Sequence, residues 1–469
     1  MSNELNRRRF MQFAAGSIGV AALGGTGFAV GAAATAKGGG GATATRNALR
    51  IPPTMAPQAL TAQAARVDLG GGHLSNVLAY NGLFPGPTFA VDSGNSIAVT
   101  LNNKLADATT IHWHGLVVPT VADGQPHEAI PTYKPNPYTY AFTVNQRAAL
   151  NFYHPHPHLN TGSQVYHGLA GAFIVRDTEE RSLGLPAGPY EAPLVIRDAS
   201  FDSAGNLSYG GKASGFLGNT PLVNGTLSPY LAVDRGVYRF RVVNAATARI
   251  FRLALANGGA FTIIGNDGGL LTKPVSVTWV DVSPAERLDL LIDFSALASG
   301  QSAMLRCLDA RWDLLEFRGT GNPGVNYTPP TTLSSITPLV LPAGGTVRRF
   351  SFDGMTRING KLFSMDRIDF QVPAGAVEKW TFVTNGNAPH PVHIHGASFQ
   401  VVARRGGRNQ LFPWEAGWKD TVLLNDREAV DVLIRFDPRL VTTGPQRYLI
   451  HCHKLEHEDA GMMSAFRVT

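Results

Sequence analysis

Gly236-Val237-Tyr238-Arg239-Phe240-Arg241-Val242-Val243-Asn244 decides the fold, because the chain carries the same device three times. Aromatic and β-branched residues alternate with other types at period two, which is the pattern of a strand, and Asn224-Gly225 upstream marks a tight turn between apolar runs. The other copies are Asn81-Gly82 with Gly94 to Asn102, and Asn359-Gly360 with Gly375 to Asn385. A spacing of roughly 135 to 145 residues is far longer than the repeats of about 20 to 50 residues that build solenoids. Three homologous β domains in tandem are expected.

Composition agrees. The 469 residues include 51 Gly and 30 Pro, with 44% hydrophobic and only 16% charged residues. That describes a turn-rich globular protein with sizeable cores, neither disordered nor built from long heptad helices. The formal net charge of +6 is modest, and no basic run is interleaved with aromatics, so nucleic acid is not an expected partner. Loop-like stretches at Lys37 to Thr45, Asp177 to Glu191 and Gly319 to Gly345 divide the chain. The expected units are 1–45 as a leader and linker, then domains at 46–180, 190–335 and 345–469.

The leader reads Asn6-Arg7-Arg8-Arg9-Phe10-Met11-Gln12 followed by a Gly/Ala-rich stretch to about Ala36. It resembles a twin-arginine signal, with Ala34-Thr35-Ala36 or Ala42-Thr43-Ala44 as small-residue cleavage sites. Export of a folded protein to a bacterial periplasm or medium is the resulting expectation. No other segment has the uninterrupted apolar length of a spanning helix, so no stable membrane insertion is expected once the signal is removed. The two cysteines, Cys307 and Cys452, form no disulfide framework; Cys307 alternates with apolar neighbours and reads as a core thiol.

The residues after each repeat differ. The first leads to Ile111-His112-Trp113-His114-Gly115 and the third to His390-Pro391-Val392-His393-Ile394-His395-Gly396, while the second leads to Ala245-Ala246-Thr247-Ala248-Arg249, without histidine. The middle domain therefore reads as a spacer and the outer two as carriers of chemistry. Two further His-x-His pairs are His154/His156 and His451/His453. On a strand, period two puts both imidazoles of a pair on one face, and imidazole suits copper. In His451-Cys452-His453 the thiol lies on the opposite face from its flanking histidines. With His457 and Met462 downstream, that face suits a blue-copper centre, in which a Met is the weak axial ligand.

Together these motifs resemble the four copper-binding motifs of multicopper oxidases, and the similarity runs from about Leu60 to Thr469. It includes Gly168-Leu169-Ala170-Gly171 and Ser283-Pro284-Ala285-Glu286-Arg287. The resemblance implies three cupredoxin-like Greek-key β-sandwich or barrel domains, with copper between the first and third. It implies about four coppers per chain in sites of this ligand chemistry. Type 1 copper would take His390, Cys452, His457 and axial Met462. Type 2 copper would take His112 and His393, and the type 3 pair His114, His154, His156, His395, His451 and His453.

By the same resemblance, electrons from a small-molecule or metal-ion reductant would enter at type 1 copper. They would pass through Cys452 and its neighbours His451 and His453 and reduce dioxygen to water in a four-electron reaction. Asp123 and Glu458 resemble the family's acids near the cluster and would relay protons. His158 and His167 are candidates to orient ligand rings, and Met463 reads as core. A methionine-poor stretch before His390 (Met304, Met355 and Met365 only) and the acid-free Asn385-Gly386-Asn387-Ala388-Pro389 favour phenols and aromatic amines over cuprous ion as reductant. Cuprous oxidation is the enzymatic alternative, and an envelope or cell-division role on the same scaffold the non-enzymatic one. An electron-transfer cupredoxin leaves eight histidines unexplained, and a copper nitrite reductase does not fit three domains. A monomer is expected.

Overall fold

The computed structural model describes residues 45–128, 137–384 and 389–469. The twin-arginine leader with both cleavage sites, and Asn385 to Ala388, lie outside the described residues. The architecture is all-β, with six sheets among the described residues arranged as three cupredoxin-like sandwiches.

Each repeat strand occupies the same place in its sheet. Val237–Asn244 runs parallel to Glu191–Ala199 and antiparallel to Arg287–Asp293. Ser96–Asn103 sits likewise between Leu60–Asp68 and Tyr138–Thr143, and Val377–Thr384 between Val347–Asp353 and Glu428–Arg435. The Asn-Gly turns are equally alike. Both residues hold positive φ, 54° and 76° at Asn81-Gly82, 49° and 66° at Asn224-Gly225, 52° and 72° at Asn359-Gly360, the conformation of a hairpin turn that matches strand twist.

Each Asn also clasps one residue of the neighbouring strand. Asn224 N–H donates to the Val195 carbonyl at 2.9 Å while its Oδ1 accepts from Val195 N–H at 2.7 Å. Asn81 holds Thr61 in the same way at 2.9 and 2.7 Å, and Asn359 holds Ser351 at 2.9 and 2.8 Å. Asparagine is thus doubly fitted: it tolerates the left-handed backbone and supplies the acceptor.

Alternation has a different outcome in the middle copy. Tyr238, Phe240 and Val242 enter an apolar core, as period two requires. Arg239 and Arg241 point the other way yet are buried too, because Glu180, Glu191 and Asp289 cover that face. Charges removed from water are tolerable only when paired this fully. Glu180 belongs to the short helix Thr178–Ser182 that comes after the first sandwich, so the ion pairs fasten the linker to the middle sandwich.

The second sheet of the first sandwich runs Thr54–Met55, Thr88–Asp92, Gly171–Arg176, Ala149–His154, His112–His114. That of the third runs Phe370–Val372, Met463–Val468, Gln446–Cys452, His390–Ile394, Thr421–Leu424. Both carry histidine strands. Asn47–Ala48 joins the middle sandwich, pairing with Pro229–Arg235. No helix among the described residues is long and apolar enough to cross a membrane. Cys307 lies in the middle core, fully buried.

Candidate metal centres

Strand register assembles the sites. His112 faces His154 across one ladder, and His393 faces His451 with Val392 beside Cys452 in another. Side chains of adjacent residues leave opposite faces. Cys452 therefore enters the third core together with Val392 and Met462, while His451 and His453 face away toward the first sandwich.

The Cys452 site lies within one sandwich. Sγ is 3.5 Å from His390 Nδ1 and 3.6 Å from His457 Nδ1, and the two nitrogens are 3.1 Å apart. His457 comes from the short helix Leu455–Asp459, whose fold back onto the strand is secured by Met462 N–H donating to the His457 carbonyl and Cys452 N–H to that of Met462. Met462 is fully buried in the same core. Burial pushes the Cys452 thiol up to about 12 and His390 down to about 3. A neutral thiol and neutral imidazoles aimed at one point suit a metal, since coordination itself removes the thiol proton.

Eight more histidines converge between the first and third sandwiches. His114, His154 and His453 form one triad, His156, His395 and His451 a second, and His112 and His393 meet beside His114. Both triads draw on both sandwiches. All eight are buried, and burial followed mainly by neighbouring imidazoles pushes His114, His154, His156, His393, His395 and His453 well below the usual histidine range.

Their hydrogen bonds fix which ring nitrogen several of them turn inward. His112 Nδ1 donates to the Asp123 carbonyl at 2.8 Å and His393 Nδ1 to that of Asp420 at 2.9 Å, so each Nε2 has no partner. His114 is reversed. Its Nε2 donates to Asp420 Oδ1 at 3.0 Å and Nδ1 is left bare. His395 Nδ1 donates to Asp123 Oδ2 at 2.8 Å, and its Nε2 then faces His451 Nε2 at 3.1 Å. His154 Nδ1 donates to Pro155 O, which leaves its Nε2 lone pair 3.3 Å from His453 Nε2. Ring nitrogens gathered this closely in a dry interior offer one cation several donors at once. The donor set fits copper.

The two acids named from the sequence both lie against cluster histidines. Asp123 is fully buried at the end of the helix Thr120–Asp123, and its Oδ1 has no hydrogen-bond partner. Glu458 lies between His156 Nδ1 at 3.3 Å and His451 Nδ1 at 3.2 Å. Among the described residues, neither His158 nor His167 is hydrogen-bonded to a cluster histidine. His167 Nδ1 donates to Ser163 O in its own helix, and the His158 ring packs on Phe363. Sequence reading missed Asp420 and Thr421, whose oxygens accept from His114 and His393, and Arg287, which pairs with Asp420. Met463 is core, as expected. A cavity of about 460 Å³ lined by Asn151, Gln146 and Trp418 reaches Gly115 and Gly396, the residues after His114 and His395.

Family models described as multicopper oxidase match residues 61–180, 201–306 and 334–469. A multicopper oxidase of Staphylococcus aureus is 32% identical over 417 residues, 87% of this chain and 88% of that protein. The cell division protein FtsP of Dickeya dadantii is 31% identical over 486 residues, 98% of each. Among solved structures, a laccase from Pediococcus acidilactici superposes with a TM-score of 0.85 at 34% identity, covering 91% of this chain and 95% of that one.

Proposed function

The chain belongs to the multicopper oxidase family, and from that premise we propose that it is a laccase-like oxidase of phenols and aromatic amines with dioxygen as acceptor. Type 1 copper would be held by His390, Cys452, His457 and Met462, type 2 by His112 and His393. The type 3 pair would be held by the two triads. Copper so bound would take up single electrons at the cysteine site and supply them to dioxygen at the histidine cluster. The observation that carries this reading is the complete set of ten buried histidines with Cys452, gathered into groups whose potential ligand atoms lie close together.

The chain's own groups supply the rest. His451-Cys452-His453 links both sites through adjacent residues of one strand, so their separation is set covalently. Asp123 Oδ2 accepts from His395 and leaves Oδ1 free to take a proton, and Glu458 stands ready between His156 and His451. General acid–base chemistry needs such a group within reach of the reacting oxygen. Desolvation keeps the imidazoles of His156 and His395 neutral at neutral pH, as metal ligation demands.

Only three methionines lie between Gly300 and Pro389, too few for a thioether-rich surface selecting cuprous ion. Cuprous oxidation remains the enzymatic alternative. The similarity to FtsP raises a non-enzymatic scaffold role, against which the intact ligand set speaks. Export by the twin-arginine route and a monomeric state belong to the same proposal. Turnover of a phenol compared with that of chelated Cu(I), with and without added copper, tests the substrate. Negligible phenol oxidation beside rapid Cu(I) oxidation would overturn the first choice.

A further inference from the structure

Among the described residues the middle sandwich holds no histidine of the cluster, yet it sends Arg287 into the cluster's wall. Arg287, fully buried, donates from Nη1 to Asp420 Oδ1 at 2.7 Å and from Nη2 to Asp420 Oδ2, a two-pronged pair. Its Nε donates to the Leu150 carbonyl at 3.1 Å, on the strand that ends at His154. Nη1 also reaches Ala285 O at 3.0 Å and Nη2 reaches Asp267 O at 3.1 Å, so every donor is committed. One guanidinium thereby grips all three sandwiches.

Asp420 is where this grip meets the cluster. Its Oδ1 accepts from His114 Nε2, and its carbonyl accepts from His393 Nδ1. The first contact makes His114 present Nδ1 and the second makes His393 present Nε2. A planar fork fits a carboxylate in one orientation, which a flexible ammonium does not. Gly115, directly after His114, makes room for the fork: a Cβ there would lie 2.7 Å from Arg287 Nη2 and 3.1 Å from Asp420 Oδ2.

We propose that Arg287 of the middle sandwich is a positioning residue for the copper cluster, holding Asp420 so that His114 and His393 offer the correct nitrogens. This rests on the copper reading of the cluster. Among the described residues no hydrogen bond or ion pair joins His390, Cys452, His457 or Met462 to Arg287 or Asp420, so the effect should be confined to one centre.

The test loads wild type, Arg287→Lys, Arg287→Met and Asp420→Asn with copper. It compares the blue absorption, the type 2 electron paramagnetic resonance spectrum and the rate of copper loss to a chelator. The expected result is an unchanged blue band per chain, an altered type 2 spectrum and cluster copper lost about tenfold faster or more. Variants with wild-type spectra and chelator rates would overturn the assignment. So would blue and cluster signals falling together in all three, which would make the contact a general element of the fold. Wild type that itself lacks cluster copper would instead defeat the copper reading, before any variant is considered.

Discussion

The Cys452 site and the histidine cluster are two solutions to placing a metal in a β-sandwich. The first takes all its donors from residues 390–462 and sits inside one core, so one sandwich's packing is sufficient to build it. The second has no single owner. Each triad mixes strands of the first and third sandwiches, and a buried ion pair from the middle one fastens its wall. Local sites should tolerate disturbance at the sandwich boundaries, whereas shared sites should report it.

The largest effects separate the two sites completely. Cys452→Ser should abolish the blue absorption and bring substrate oxidation to background while cluster copper stays bound, checked by metal analysis and resonance spectra. His395→Ala should do the converse, keeping the blue band while dioxygen uptake falls to background. If either substitution removed both sets of signals, the sites would not be independent.

Next in size are the acids. Asp123→Asn keeps a carbonyl for His395 but cannot exchange a proton. It should slow dioxygen consumption by about 100-fold, within the range of general acid–base catalysis, and leave anaerobic bleaching by substrate unchanged. Normal dioxygen reduction in this variant would reject its proton role.

A smaller effect concerns pH. His156, His393 and His453 are held well below the usual histidine range by burial, whereas unfolded chains bind protons near pH 6.5. Below that pH the unfolded state takes up protons that the folded state refuses, so stability is fully present above it and is lost as pH falls. The copper-free protein should show a thermal midpoint falling between about pH 7 and pH 5. A flat profile there would contradict dry, neutral imidazoles.

The mildest test touches neither site. Asn224→Ala removes the side-chain half of the clasp on Val195 and the Nδ2 bond to Pro193 O, at a cost of about 1 to 3 kcal/mol. Thermal melting should register it while copper content and both spectra stay unchanged.

The legible parts of this molecule were those governed by local periodicity. The Asn-Gly turns, the repeat strands and the four His-x-His pairs read directly, because period two and left-handed turn chemistry are written in adjacent residues. The acids at Asp123 and Glu458 came from resemblance, and both lie against cluster histidines. Asp420 was hidden, and Arg287 was read only as part of a family-like stretch without a role, since their pairing spans 133 residues and a lone Asp in Trp418-Lys419-Asp420-Thr421 carries no periodic signal. Arg239 and Arg241 show the same limit. Their alternation marks a second face, but only tertiary structure shows Glu180 and Glu191 covering it.

The central claim is that electrons accepted at Cys452 leave through the shared cluster. Copper-loaded protein should be bleached by a phenol under argon and then mixed with dioxygen while the blue band is monitored. The account predicts that wild type recovers its colour rapidly and that His395→Ala bleaches equally but stays colourless. Equal recovery in the variant would contradict it, because dioxygen would then be reduced without the cluster.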